Sequence, residues 1–228
     1  TKVMQMLLTM SVCLGSVMMP RASHLIAENK EDEFNRLIQK SYDFTLAIAL
    51  PMTIGLIFCA PSLITALCGV KFEYSILPSQ IIAPIILMVA ISNVFGIQVL
   101  FPKGKINIVT LCCGIGAVAD LMLNLCLIPF FSYIGTSIAY LGAEVATTVS
   151  MYFIGRRYIP IIYFKKSHLT YALGCIVMAF ALYGLSLLQL PTLTILLLQG
   201  CCGVLAYFII LCICKDEMLV QILSKIKR

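Results

Sequence analysis

Charged residues are scarce in this sequence of 228 residues, and their scarcity excludes most soluble folds. Asp, Glu, Lys and Arg make up 11% of the chain, whereas hydrophobic residues make up 61%. Soluble domains carry about 25% charged residues. With a mean hydropathy of +1.03, the chain has more apolar surface than a soluble core of this size can hide. The composition therefore predicts a membrane protein.

Histidine is almost absent as well, and C-x-x-C pairs are missing from the loops. The only histidines are His24 and His168, and the eleven cysteines all lie in or at the ends of apolar segments. This placement is typical of small buried hydrophobic residues and not of a disulfide framework or metal ligands. We therefore expect no metal site and no bound cofactor.

The long apolar segments lack the alternation of barrel strands, so the membrane-crossing elements are predicted to be helices. Each segment is long enough to cross ~30 Å of hydrocarbon at about 1.5 Å per residue. The sequence predicts an all-α, polytopic membrane helix bundle of about seven transmembrane helices, at Val3–Met19, Phe44–Cys68, Ile81–Leu100, Ile106–Ile128, Ile134–Gly155, Tyr171–Leu190 and Leu193–Cys214.

The basic residues predict the orientation of these spans. If the spans alternate in direction, all 16 Lys and Arg residues except Lys2 and Lys71 fall on one side of the membrane. Because Lys and Arg are retained in cytoplasmic loops, that side is predicted to be cytoplasmic, with the C-terminus inside the cell. The net charge of +6 then reflects topology. No basic folded face for a nucleic-acid partner is visible.

The start of the chain does not look like the start of a protein. It begins with Thr1, it shows no convincing signal-peptide cleavage site, and its odd number of helices starts outside the cell. We expect a C-terminal piece of a longer protein, or a truncated reading frame.

Two parts are expected along the chain. Residues 1–155 are predicted to form a transporter lobe of five spans, and residues 156–228 a cytoplasmic loop, an extra C-terminal helix pair and a basic tail. Within the first part, residues 21–40 are polar with a partial apolar stripe. They predict either an amphipathic cytoplasmic helix lying on the membrane surface or a solvated connector.

Proline and small residues predict where the spans bend and pack. Pro51, Pro61 and Pro84 lie inside predicted spans, where a proline removes a backbone hydrogen bond and kinks the helix. The fifth span carries small residues four positions apart, which let two helix backbones approach closely: Gly135, Ala139 and Ala143.

Two acidic residues lie inside predicted spans. Asp120 and Glu144 both fall ~14–15 Å below the outer surface at about 1.5 Å per residue, in helices joined by a short loop. The two helices are therefore predicted to be antiparallel neighbours, with both acids at one depth. Polar residues within about a turn or in the third span are candidates to line a cavity with them: Asn124, Tyr140, Thr147, Thr148, Asn93 and Gln98.

An ionised carboxylate at that depth costs at least ~2.5–3.5 kcal/mol, and no Lys or Arg lies inside a span to neutralise it. Burial and a like-charged neighbour both disfavour the charged form. One hypothesis is therefore that Glu144 and Asp120 couple transport to H⁺ or Na⁺. A second is a protonated acid that only holds the helices together. A third is an ion pair with arginines of another lobe.

Several stretches resemble one family of transporters. Asp120–Val149 carries Asn, Ile-Pro, Gly, Ile-Ala and Glu in order, residues 17–23 (VMMPRAS) contain Pro-x-x-Ser, and residues 93–105 contain Gln-x-Leu before a basic turn. This pattern resembles the C-terminal half of Wzx-type bacterial polysaccharide (O-antigen) flippases. These belong to the multidrug/oligosaccharidyl-lipid/polysaccharide exporter superfamily. One departure lies at Ser132–Ile134, where many relatives place a glycine soon after the Ile-Pro.

The resemblance implies a transporter of about 14 helices in two pseudo-symmetric lobes, of which this chain is the C-terminal one. It implies transport of an undecaprenyl-pyrophosphate-linked oligosaccharide to the outer leaflet by alternating access, for surface polysaccharide synthesis. The location would be the bacterial inner membrane, with membrane lipids and possible polymerase machinery as partners. Residues that bind the pyrophosphate are expected in the other lobe.

A cation-coupled multidrug exporter of the same superfamily is the main alternative. A seven-helix receptor is a distant alternative. This sequence has no Asp-Arg-Tyr-like triplet at the end of the third span and no Asn-Pro-x-x-Tyr motif in the seventh. An enzyme is not expected, because no His or acidic cluster lies at the membrane surface apart from a solvated helix face near Glu28.

Overall fold

The structure is a computed structural model and describes Thr9 and residues 18–162, 165–188 and 191–214. No strand occurs within these ranges. In chain order the elements are α1 (residues 18–27), α2 (Glu31–Cys68), a 3-10 helix (Val70–Ser75), α3 (Ile76–Ile82), α4 (Ile85–Asn93), a π-helix (Val94–Leu100), α5 (Ile106–Gly155), α6 (Lys166–Ser186) and α7 (Thr192–Ile213).

Long apolar helices dominate the described residues. Within these ranges, five helical stretches are long and apolar enough to cross a membrane: Glu31–Cys68, Val70–Leu100, Ile106–Gly155, Ser167–Ser186 and Thr192–Ile213. The prediction of an all-α polytopic membrane bundle is confirmed. Most of the first predicted span and the basic tail after Cys214 lie outside the described residues.

Helix α5 is a hairpin of two helical arms and not one straight rod. Ser132 leaves the helical region with φ 51° and ψ −125°. A Cβ placed on Gly135 would lie 2.6 Å from the carbonyl oxygen of Leu127, which is possible only if the chain folds back on itself. We call residues 106–131 the first arm and residues 133–155 the second arm. Each arm is long enough to cross ~30 Å of hydrocarbon.

Small residues hold the two arms together along their length. A Cβ on Gly116 of the first arm would overlap Thr147 Oγ1 and lie 3.3 Å from the carbonyl oxygen of Ala143. Nearer the turn, a Cβ on Gly142 would lie 2.5 Å from Leu123 Cδ1. The three small residues of the predicted packing face, Gly135, Ala139 and Ala143, are all buried.

The predicted third span, Ile81–Leu100, is not one regular helix. Helix α3 ends at Ile82, Pro84 is the N-cap of α4, and a π-helix follows from Val94. Proline lacks the N–H that would continue the hydrogen-bond ladder, so the interruption lies where Pro84 does. In contrast, α2 stays helical through Pro51 and Pro61.

Residues 21–40 also differ from the sequence prediction. Helix α1 ends at residue 27, and α2 begins at Glu31, so the segment belongs to two helices and its second half is the start of a long one. Its apolar stripe is inside the protein: Phe34 and Ile38 are 0% exposed and Leu25 is 8% exposed. The structure thus places this stripe against protein side chains, and the position of the segment at the membrane surface stays a prediction.

The chain divides into two compact units. Of the described residues, those up to 49 and those at 81–162 form the first unit, and those at 50–80 and from 165 onward form the second. In the first unit, Thr148 Oγ1 donates to the carbonyl of Met88 at 3.2 Å, which joins the second arm to α4. In the second unit, α6 and α7 pack closely at two glycines. Gly174 of α6 lies against Tyr207 of α7, and Gly203 of α7 lies against Met178 and Leu182 of α6. The predicted boundary at residue 155, between a transporter lobe and an extra C-terminal helix pair, stays a prediction.

Replacing Gly116 by alanine should weaken the hairpin. The added methyl group overlaps Thr147, so we expect the free energy of unfolding in detergent to fall by about 1–3 kcal/mol. Gly114→Ala is the matched control, because nothing lies within 4 Å of a Cβ at that position. Equal effects of the two substitutions would show that the arms do not pack as described.

Replacing Ser132 by glycine should strengthen the turn. The backbone angles of Ser132 resemble the first central position of a type II′ turn, which glycine favours. Strained positions of this kind cost about 1–3 kcal/mol, part of which glycine recovers. We expect a higher midpoint of thermal unfolding for Ser132→Gly. The control Thr136→Gly should have a lower midpoint, because Thr136 lies in the helical second arm, where glycine is destabilising. A lower midpoint for Ser132→Gly would contradict the turn geometry.

Candidate ion-coupling site

A cavity of about 470 Å³ lies in the first unit between α4, the π-helix and the two arms of α5. One wall is formed by residues 89–97 and the other by the hairpin. Most of the lining is apolar or small, and its polar members are Ser92, Asn93, Asp120, Tyr140, Glu144 and Thr147. A volume of this size falls within the range of small-molecule pockets, about 300–1,000 Å³.

The two acids of the predicted site face this cavity together. Asp120 lies on the first arm and Glu144 on the second, and both line the cavity. The hairpin explains why, since its contacts pair Gly116 with Thr147 and Leu123 with Gly142, and the acids lie between these two pairs. The packing of the arms thus brings the two acids to the same level of the hairpin, and their depth in the membrane stays a prediction.

Within the described residues, neither Asp120 nor Glu144 forms a salt bridge with a basic side chain, in contrast to Glu28, which pairs with His24 and Lys30. No group of three or more His, Cys, Asp or Glu within the described ranges is placed to hold a metal ion. The cavity therefore offers negative charge and oxygen atoms to a proton or a small cation.

Asn124 orients Asp120 without reaching the cavity wall itself. Its side-chain nitrogen donates to Asp120 Oδ1 at 3.0 Å and to the Asp120 carbonyl at 2.9 Å. This bond occupies one carboxyl oxygen. Thr147 Oγ1 donates to the carbonyl of Ala143 at 2.9 Å, so its lone pairs remain available on the cavity side.

The predicted site residues do not all converge. Asn93, Asp120, Tyr140, Glu144 and Thr147 line the cavity, whereas Thr148 is tied to Met88 by the bond described above. Gln98 is absent from the lining too. It is 1% exposed and accepts a hydrogen bond from Ser41 Oγ at 2.5 Å. The expectation that Gln98 belongs to the polar cavity is therefore not met.

A polar cluster at residues 39–45 of α2 was not predicted from the sequence. Ser41, Asp43 and Thr45 are all buried. Gln39 donates to Asp43 Oδ1 at 2.7 Å and also pairs with the backbone of Ile162, whose N–H donates to Gln39 Oε1 at 2.8 Å. The four-residue spacing of Gln39 and Asp43 was the available signal, but the predicted span began one residue later.

The buried bond between Ser41 and Gln98 should be measurable. Ser41→Ala leaves the Gln98 amide without that partner, and an unsatisfied buried polar group costs about 1–3 kcal/mol of unfolding free energy. Gln98→Leu removes the amide itself. In a double-mutant cycle, Ser41→Ala/Gln98→Leu should therefore lose less unfolding free energy than the sum of the two single variants. Additive effects of the two changes would argue against the bond.

Similarity to known proteins was found at three levels. The family model described as "Lipid II flippase MurJ" matches residues 1–202. An uncharacterized membrane protein of Methanocaldococcus jannaschii is 30% identical over 141 residues, covering 62% of this chain and 26% of that protein. The solved structure of a lipid II flippase MurJ in an inward closed conformation is similar with a TM-score of 0.77 and 17% identity, covering 92% of this chain and 44% of that chain.

The chain thus spans about a quarter of the archaeal relative and less than half of the solved flippase. The structural likeness supports the fold. The resemblance noted in the sequence is confirmed at the level of flippases for lipid-linked precursors, and the narrower assignment to the O-antigen type stays a prediction.

Proposed function

Because this chain belongs to the MurJ family of lipid II flippases, we propose that it forms part of a transporter that moves a lipid-linked precursor across the cytoplasmic membrane. The family match over residues 1–202 is the observation that carries this proposal. The role is transport and not catalysis: no bond of the substrate is made or broken. The protein supplies a path for a headgroup that hydrocarbon excludes.

The proposed substrate class is an undecaprenyl-pyrophosphate-linked glycan. Lipid II, the peptidoglycan precursor named in the family description, is the first candidate. An O-antigen oligosaccharide on the same carrier is the second, supported by the residues around Asp120–Val149. A polar headgroup must leave water to cross the membrane, so a transporter has to open to one side at a time. Alternating access between two lobes meets that need.

Coupling of this movement to a cation is proposed for Asp120 and Glu144. Two carboxyl groups share a cavity in which no Lys or Arg lines the wall. Binding of H⁺ or Na⁺ there removes the cost of holding negative charge in a medium of low dielectric constant. A cation that binds one conformation of the transporter better than another shifts the balance between them. The ion gradient then supplies the direction of transport.

A cation-coupled multidrug exporter is the second candidate function. The acidic, partly apolar cavity of about 470 Å³ is the observation in its favour. The two functions share a coupling site and differ in substrate, so a substrate measurement separates them.

The direct experiment follows the substrate in the host. The full-length gene is depleted, and leaflet-selective labelling reports where the lipid-linked glycan accumulates. Accumulation on the cytoplasmic leaflet, with loss of the cell-wall or surface polymer, is the expected result. An unchanged lipid pool together with greater sensitivity to cationic drugs would replace the flippase proposal by the exporter.

Glu144→Gln should uncouple transport without preventing folding. The substitution keeps the shape of the side chain and removes its charge, so we expect normal expression and a loss of transport of at least tenfold, about 1.4 kcal/mol or more. Asp120→Asn should act in the same direction. Glu73→Gln is the control, because Glu73 lies in the exposed 3-10 helix. Unchanged transport by Glu144→Gln under a saturating ion gradient would remove Glu144 from the coupling mechanism.

A further inference from the structure

Two basic turns meet at one end of the first unit. The first turn, residues 101–105, joins the π-helix to the first arm of α5, and the second, residues 156–158, follows the second arm. Lys103 Nζ donates to the carbonyl oxygen of Tyr158 at 3.0 Å, and Lys105 Nζ lies 5.2 Å from the centre of the Tyr158 ring. Gly155 packs on Leu100 beneath them.

Four cations are gathered there: Lys103, Lys105, Arg156 and Arg157. None of the four forms a salt bridge within the described residues. Lys103 is half-buried over the Phe34 ring at 5.1 Å. This burial lowers the pKa of Lys103, and the charge of Glu31 opposes the shift only in part. An anion placed beside these groups would lower their electrostatic energy.

Large apolar side chains adjoin the four cations along the chain. Phe101 begins the first turn and Ile106 follows it, and Phe153 and Ile154 lie within one helical turn of Arg157. All four are exposed, Phe153 by 66% and Ile106 by 47%. Basic heads beside exposed apolar side chains, at the ends of membrane-spanning helices, match the boundary between headgroups and acyl chains.

We propose that this basic surface, formed by Lys103, Lys105, Arg156 and Arg157 with the adjoining apolar side chains, binds the phosphate headgroup of an anionic phospholipid. The cations meet the phosphate, and the apolar side chains meet the first part of the acyl chains. A soluble phosphate would use the charges and leave the apolar side chains unpaired. Juxtamembrane basic residues attract anionic lipids over about one Debye length. Because two turns converge here, their four cations act on the same headgroup.

The test compares lipids on the purified full chain in a neutral detergent. Phosphatidylglycerol and phosphatidylcholine are added at equal amounts, and the midpoint of thermal unfolding is recorded. A lipid that binds the folded state raises the midpoint, so we expect a larger rise with phosphatidylglycerol. The variant Lys105→Gln/Arg156→Gln/Arg157→Gln should lose at least about half of that extra rise. Lys103 is left in place because it also packs on Phe34.

A matched control removes the same number of charges elsewhere in the first unit. Arg21, Arg36 and Lys40 are exposed and predicted to lie on the same side of the membrane, so Arg21→Gln/Arg36→Gln/Lys40→Gln should keep the full lipid effect. Equal losses in the two triple variants would overturn the proposal in favour of general surface charge. An equal rise with inorganic phosphate, or a rise with undecaprenyl pyrophosphate but none with phosphatidylglycerol, would also overturn it.

Single variants distinguish a loss of lipid binding from misfolding of the triple variant. Arg156→Gln and Arg157→Gln change one exposed side chain each, and each should lose part of the phosphatidylglycerol effect. Full retention of the effect by both would reject the basic surface as a lipid site. Because the assay measures lipid binding and not transport, failure here leaves the flippase proposal untouched.

Discussion

The close approach of the two arms of α5 is the constraint on which the first unit depends. At Gly116 no side chain separates the first arm from Ala143 and Thr147, and dispersion and backbone contact then replace the hydrophobic driving force that lipid does not supply. The same contact sets the register of the hairpin. That register places Asp120 level with Glu144, and at the other end it brings Lys105 to Tyr158.

Keeping two carboxyl groups inside a membrane is costly, and the surroundings of these two reduce the cost only in part. Asn124 donates to Asp120, but no basic residue lies close enough to form an ion pair with either acid within the described ranges. A purely structural role would be served better by an apolar pair, since replacing buried charges by apolar residues is often neutral or stabilising. The open cavity beside the acids favours a role in which their charge state changes.

Much of this arrangement could be predicted from the sequence because it rests on local rules. Apolar length predicted the spans, the short loop after Pro129 predicted antiparallel arms, and counting residues from that loop put Asp120 and Glu144 at one depth. Gln98 and Asp43 could not be placed in this way. The partner of Gln98 depends on a π-helix, which hydropathy does not report, and Asp43 lies in the part of α2 that precedes the predicted span. The departure at Ser132, visible in the sequence, became interpretable only once its positive φ was known.

The π-helix at Val94–Leu100 has a consequence for everything that follows it. A π-helical turn holds about one residue more than an α-helical turn, and one residue corresponds to about 100° of rotation about the helix axis. Gly96 and Ile97 therefore border the cavity while Gln98 reaches Ser41 on α2. The turn that contains Lys103 and Lys105 follows the π-helix directly, so its direction about the helix axis depends on that extra residue. Deleting a single residue from the segment would leave composition and hydropathy nearly unchanged, yet it would turn the basic loop to a different side of the helix.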